Sequence, residues 1–337
     1  MIISQQELRQ LFGKFDTCRV MIVGDVMIDS YLIGKVDRIS PEAPVPVVAL
    51  KERNNMLGGA ANVALNVKAL GAEAILCSVI GNDKQGDVLL DLMNDQGLST
   101  DGITKGIDRI TTTKFRIISN HMQMLRVDEE MDTDIPEVDT VVFLEKISRL
   151  VSFHKPDVII LQDYNKGVLT PEVIQTVIGL ARANHIPVAV DPKKRNFAAY
   201  KGITLFKPNL KEICEGLKIE IDPKSAASLQ KAAKILHTGQ DLKQVLITLS
   251  ENGVFISSAS GGSYTSNCIP AEMRSIADVS GAGDTVISVA ALCLALGTDP
   301  VLMASLSNLA GGLVCEQAGV VPVDKQKLLA EAMALLA

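Results

Sequence analysis

The sequence contains only four histidines, set far apart with no HxxxH pair, so nothing in it supports a metal cluster built on imidazole. Its six cysteines (Cys18, Cys77, Cys214, Cys268, Cys293 and Cys315) show no CxxC spacing and mostly sit in apolar runs, which suits reduced core thiols better than disulfides or a zinc site. No apolar run approaches the roughly 18 residues that a membrane helix requires, and the N-terminus is polar, so a cytoplasmic location is expected. Basic blocks are missing as well. Lys and Arg are scattered and the net charge is -6, which leaves no footprint for nucleic acid or an anionic membrane; a phosphorylated ligand would need local cations. There is no internal repeat and no low-complexity linker. What the chain does have is apolar residues: at 337 residues and 47% hydrophobic, it can bury a core for one large α/β domain or two ordinary ones.

Those apolar residues alternate between two patterns. "RVMIVGD" (19–25) reads as a short buried strand, and "GGAANVALNVKALGA" (58–72) as a helix with Val63, Val67 and Leu70 on one face. "AILCSVIG", "DVIILQD", "PVAVDP", "TLFKPN", "QVLITLS" and "VFISS" are further strands, with helices at "KQGDVLLDLMNDQG", "PEVIQTVIGLARAN" and "LKEICEG" between them. Near-continuous Val/Ile/Leu strands alternating with helices predict an α/β fold, a mostly parallel sheet with helices on both faces. Ligands of such sheets bind beyond the carboxyl ends of the strands, where Asp25, Asp163, Asp191 and Asn209 fall. Two segments, 30–50 and 110–128, are β-rich, punctuated by Pro or Thr, and lack a helical period. They are expected to build a small sheet projecting as a lid, and because such a flap exposes an apolar face, to pair with a second subunit.

"DVSGAGDTV" places Gly281 and Gly283 in a tight turn of converging N–H groups, at the start of a helix whose positive end points the same way. That arrangement suits an anion. Asp284 there can be an ordinary helix cap, or a base facing a hydroxyl that attacks a phosphoryl group held by the Gly281-Ala282-Gly283 turn. The stretch resembles the C-terminal signature of the ribokinase-like, or PfkB, carbohydrate kinases, and "GGAANVALN" resembles the N-terminal signature of the same family. The order of the two, with the β-rich insert between the first strand and the glycine pair, extends the resemblance over essentially the whole chain.

The resemblance implies a ribokinase-like kinase domain spanning 1–337, with ATP and magnesium. Asp25, Asp29, Gly58, Gly59 and Asn62 would hold sugar hydroxyls, and Asp284 would be the base. "KPNLKE" resembles the element that organises magnesium and phosphate, through Asn209 and Glu212; otherwise it is an Asn cap with a surface Glu. "TLSENG" resembles the nucleotide-contacting turn, with Thr248 and Gly253, but carries Ser250 where many relatives have Gly. Asn308 would lie near the adenine, and Asp278 and Ser280 border a potassium-type monovalent-cation site in some relatives; a requirement for that ion is left open.

"RISPEAPVPVV", "LQDYNKGVLT" and "VDPKKRNFAAYKG" narrow the likeness to the kinases of ADP-heptose biosynthesis, which phosphorylate D-glycero-D-manno-heptose 7-phosphate at its anomeric oxygen. On that resemblance Asp163, Lys166 and Lys193 would lie beneath the substrate. Arg126 would meet the distal phosphate, which a guanidinium can engage bidentately. Many such kinases are fused to a nucleotidylyltransferase domain with an HxGH element; none is present, so only the kinase half is expected. The competing readings are another PfkB-type kinase (for fructose phosphate, ribose or a nucleoside) and a non-catalytic sugar or nucleotide sensor. A dinucleotide dehydrogenase is disfavoured because "VGDVMID" lacks GxGxxG.

Overall fold

The computed structural model describes residues 3–120 and 122–337. Its first half comprises α1 (Gln5–Phe15), β1 (Arg19–Gly24), β2 (Val26–Ile39), β3 (Pro46–Gly59), α2 (Ala60–Ala69), β4 (Glu73–Gly81), α3 (Lys84–Asp95), β5 (Ile103–Gly106), β6 (Thr113–Ser119), β7 (Met122–Glu129) and α4 (Glu137–His154). The second comprises β8 (Val158–Gln162), α5 (Pro171–Ala183), β9 (Val188–Asp191), β10 (Leu205–Phe206), α6 (Leu210–Leu217), α7 (Ala226–Gln240), β11 (Gln244–Thr248), β12 (Val254–Ser260), β13 (Ser263–Ile269), α8 (Ala282–Ala295), α9 (Pro300–Cys315) and α10 (Lys325–Leu335).

Nine strands form one sheet in the order β13-β12-β11-β10-β9-β8-β1-β4-β5, parallel except for the β11-β12-β13 edge. Successive residues of β1 enter opposite cores: Val20 and Ile22 pack on the side of α2, α8 and α9, while Met21 and Val23 pack on the side of α4 and α5. Burial on both faces explains why the strand reads as one apolar run instead of an alternation. The α/β sheet covered on both faces is therefore as expected, and so is the separate small sheet, of order β3-β2-β6-β7.

Local chemistry sets several boundaries. Thr170 caps α5 by accepting from Val173 N–H, with Pro171 in the first helical turn. The helix expected from Gly58 starts only at Ala60, because both glycines finish β3. Strand β10 is only two residues long, as Pro208 cannot donate to a ladder. The turn after β11 is a short 3-10 helix, Ser250–Asn252, and Ser250 itself has φ +53°. The loop thus keeps the left-handed conformation that glycine favours although a serine occupies it. Cys268 departs from the core-thiol expectation by being exposed, whereas Cys18, Cys77, Cys293 and Cys315 are buried. Among the described residues, no helix is long and apolar enough to cross a membrane.

Candidate active site

Helix α8 begins after Gly281, whose φ of +81° is the left-handed turn that glycine permits, and no side chain caps it. Asp284 is not a cap. It lies in the first turn, only 4% exposed, and its carboxylate accepts three side-chain donors: Asn62 Nδ2 at 2.7 Å on Oδ2, and Tyr164 Oη at 2.7 Å and Gln162 Nε2 at 3.1 Å on Oδ1. Burial pushes its pKa up to about 6, against the hydrogen bonds from Asn62 and Tyr164 and the charge of Lys207, which favour the ionised form. A second polar knot sits behind it. Asn66 accepts from Thr285 Oγ1 and Val323 N–H and donates to the Asn62 carbonyl, so α2, α8 and the segment before α10 are tied together.

Two lysines converge near the same helix end. Lys207, buried to 2% exposure, pairs with Asp191 at 3.0 Å, and a Cβ placed on Gly283 would stand 3.6 Å from its Nζ. Lys193 pairs with Glu212 and lies 5.5 Å from the centre of the Tyr164 ring. Burial would lower its ammonium, but Asp191, Glu212 and Asp284 hold it above its ordinary value. Ammonium groups beside the positive end of a helix repel it, and an anion placed between them relieves that repulsion.

Asn209 and Glu212 form a capping box at the start of α6, Asn209 Oδ1 accepting from Glu212 N–H and Glu212 Oε2 from Asn209 N–H. Glu212 is nevertheless buried and ion-paired, which corrects the alternative of a surface Glu. Asn209 bridges to Thr248, and Gly253, at φ +83°, closes the turn that follows. Asn308 Nδ2 donates to the Pro270 carbonyl. Asp278 accepts from the N–H groups of Ser280 and Gly319, tying the loop that leads into α8. Burial works against that carboxylate, but these bonds and Arg116 bring it below its ordinary range.

Several expected sugar ligands have other work. Asp25 accepts from three backbone N–H groups, those of Tyr164, Lys166 and Val168, and so organises the turn after β8. With its oxygens turned to amides and 1% exposure, it does not line the cavity, so the structure does not bring it together with Asp29 there. Asp163 likewise accepts from Asn165 N–H and Tyr200 Oη; burial and the neighbouring Asp25 raise it to about 6. Lys166 is ion-paired with Glu130 at 2.7 Å. Neither residue lines the cavity.

The cavity itself, about 160 Å³, lies between α8 and one face of the small sheet. Asp29, Gly58, Gly59, Arg126, Ser280, Gly281 and Asp284, all expected from the sequence, line it together. Gly59 has φ +62°, and a Cβ on Gly58 would lie 2.4 Å from Asp29 Oδ2, so the glycine pair is required by the protein's own packing as well. Lys114, Arg116 and Tyr164 also line it and went unread in the sequence. Strand alternation after Thr113 was the available signal for the first two, since it puts Lys114 and Arg116 on one face. Arg116 is ion-paired with Asp29, lies 5.3 Å over the Tyr31 ring, and stands directly opposite Arg126 in the β6-β7 ladder. Like charges so placed are destabilising, and both guanidiniums face the cavity.

The comparisons fit this geometry. A family profile described as pfkB family carbohydrate kinase matches residues 18–326. The protein named Bifunctional protein HldE from Caulobacter vibrioides is 44% identical over 313 residues, covering 92% of this chain and 62% of its own length. Its namesake from Desulfatibacillum aliphaticivorans is 39% identical over 322 residues, covering 94% of this chain and 63% of its own length. The chain thus spans a little under two thirds of these relatives. Among solved structures, Escherichia coli phosphofructokinase-2 in complex with potassium superposes with a TM-score of 0.74 at 19% identity, covering 93% of this chain and 98% of that one. Arabidopsis thaliana ribokinase with ribose and ATP gives 0.69 at 17% identity, with coverage of 93% and 98%. At such identities the structures establish the fold, which is ribokinase-like.

Proposed function

The chain belongs to the pfkB family of carbohydrate kinases, and from that premise we propose that it transfers the terminal phosphoryl group of ATP to O1 of D-glycero-β-D-manno-heptose 7-phosphate. The product is the 1,7-bisphosphate, an intermediate of ADP-heptose formation for lipopolysaccharide cores. The observation that carries the transfer is Asp284, buried at the uncapped N-terminus of α8 and facing the same cavity as the glycine turn. The observation that favours a phosphorylated sugar is the set of Lys114, Arg116 and Arg126 on the opposite wall. The lid sequence "RISPEAPVPVV" and "LQDYNKGVLT" favour the heptose.

In this reading the sugar enters between α8 and the small sheet. Asp29 and the backbone of Gly58 and Gly59 bind its hydroxyls, Asn62 acts through Asp284, and Arg126 with Arg116 grips the distal phosphate. Asp284 orients the attacking hydroxyl and takes its proton, while the N–H groups of Gly281 and Gly283, with Lys207, meet charge on the migrating phosphoryl group, the Ala282 N–H being turned to the Val279 carbonyl. ATP lies on the other side of α8, toward Lys193, Asn209, Glu212, Thr248, Gly253 and Asn308. Magnesium, when bound with the nucleotide, neutralises charge on the phosphoryl oxygens. Asp191, whose buried Oδ1 has no partner, and Glu212 fit it; the amide oxygen of Asn209 is engaged by the helix it caps. Asp278 and Ser280 are the corresponding candidates for a potassium site.

The small sheet closes over the site as a lid, and its other face carries Leu125 and Val127, which are 57% and 46% exposed. A second copy of the chain covering that face makes the protein a homodimer, which sedimentation or solution scattering tests; a monodisperse monomer rules it out. A reaction that consumes ATP fits a cytoplasmic enzyme. The substrate is tested by coupled ADP detection over a panel of heptose 7-phosphate, fructose 6-phosphate, ribose and nucleosides. The highest kcat/KM is expected for the heptose phosphate, and preference for any other member replaces it.

A further inference from the structure

Three donors hold Asp284, but only one of them shares the cavity with it. Asn62 and Gln162 approach from behind and do not line the opening, whereas Tyr164 lines it beside Asp284. The Tyr164 hydroxyl donates to Oδ1 at 2.7 Å, and Gln162 Nε2 reaches the same oxygen at 3.1 Å while also contacting Asp191 Oδ2 at 3.2 Å. Tyr164 is itself fixed at its other end. Its backbone N–H donates to Asp25 Oδ2 at 2.8 Å, and Asp25 holds the whole turn through two further amides. Lys193 lies against the ring. The phenol so anchored presents its hydroxyl to Asp284.

We infer that Tyr164 is a positioning residue for phosphoryl transfer, its hydroxyl fixing Asp284 Oδ1 so that the lone pair left on Oδ2 faces the sugar hydroxyl. The inference rests on the reading of Asp284 as the base. It also gives Asp25 a function, since the carboxylate that knots the turn after β8 is what aims Tyr164. The tyrosine keeps its proton throughout, because burial and the adjoining Asp284 and Asp191 hold its pKa well above the ordinary value. It therefore donates to the carboxylate and does not relay a proton.

A hydrogen bond to the charged form of an acid favours that form, so removing it makes Asp284 harder to ionise. The charged and titratable groups facing Asp284 are Asp191 from β9, Lys207 after β10 and Lys193 after β9, with Tyr164 after β8; α2 contributes the amide of Asn62. Tyr164→Phe removes the phenol hydroxyl alone and leaves the other groups in place, and it keeps the ring and the backbone bond to Asp25.

The test is a carboxyl carbon-13 NMR titration of the substrate-free protein labelled on aspartate, with the Asp284 signal identified by its loss in Asp284→Asn. In Tyr164→Phe the Asp284 midpoint should rise by about one pH unit, a tenfold loss of ionisation at a given acid pH. In parallel the acid limb of the kcat profile should move the same way, kcat should fall about tenfold or more, and KM for ATP and sugar should stay within about twofold. A role confined to packing would lower the melting temperature and leave the Asp284 midpoint where it was, and that outcome overturns the inference. The base reading fails separately: if Asp284→Asn keeps its turnover while Tyr164→Phe still shifts the midpoint, the tie between the two residues stands and the role of Asp284 as base falls.

Discussion

Asp284 carries a charge at neutral pH where burial opposes it, and that opposition costs stability. Its pKa of about 6 in the folded protein lies above the ordinary 3.8. Between those values the folded protein holds a proton that the unfolded chain has released, so stability falls as pH rises through the window; at neutral pH the loss is on the order of 3 kcal/mol. The proposed role as base needs the opposite state, the carboxylate. Turnover should therefore rise through an acid limb near pH 6 and level off above it. Asp284→Asn should reduce kcat by about 10²- to 10⁴-fold with ATP affinity nearly unchanged. Chemical denaturation at pH 7 should find this variant at least as stable as the parent, with the difference narrowing toward pH 5. Near-normal turnover would remove Asp284 as the base.

At the scale of elements, the β6-β7 pair places Arg116 directly across from Arg126, and an anion is what such a pair can accept. Arg116→Ala should raise KM for a phosphorylated sugar several-fold more than for its unphosphorylated analogue, and Arg126→Ala should do likewise. Equal effects on both sugars would move the phosphate elsewhere. The turn after β11 makes a stability prediction. Ser250 stands at φ +53°, a conformation that costs a side-chain-bearing residue about 1–2 kcal/mol, so Ser250→Gly should stabilise the protein by roughly 1 kcal/mol in urea denaturation. A loss of stability would show that the serine side chain compensates for its backbone.

The same elements show what a sequence discloses. Periodicity exposed the strands, since burial is written residue by residue, and glycine turns announced the start of α8. Contacts between elements far apart in the chain were not written anywhere local: Tyr164 and Asp284 are 120 positions apart, and Asn62 and Asp284 are 222 apart. The partners of Asp25 were hidden for the same reason. A carboxylate at a strand end suggests a ligand, yet the three amides that claim it belong to a turn about 140 residues later, at separations of 139, 141 and 143. Lys114 and Arg116 were within reach of strand alternation but sat in a segment whose face toward the site was unknown until β2 and β6 paired, Asp29 against Lys114 and Tyr31 against Arg116.

Across the whole molecule, the two glycine motifs meet because α2 and α8 pack on the same side of the large sheet, with the small sheet emerging from β1 to roof the gap. One cavity therefore takes an acid and the start of a helix from the large sheet's side and cations from the small sheet. That division predicts a sugar held with its reacting hydroxyl toward α8 and its phosphate toward β6 and β7. Phosphorus-31 NMR of the protein with ATP, magnesium and D-glycero-β-D-manno-heptose 7-phosphate tests this directly. A new phosphate resonance coupled to the anomeric proton should grow in step with ADP. Release of inorganic phosphate without a phosphorylated sugar, or phosphorylation at a hydroxyl other than the anomeric one, would contradict it.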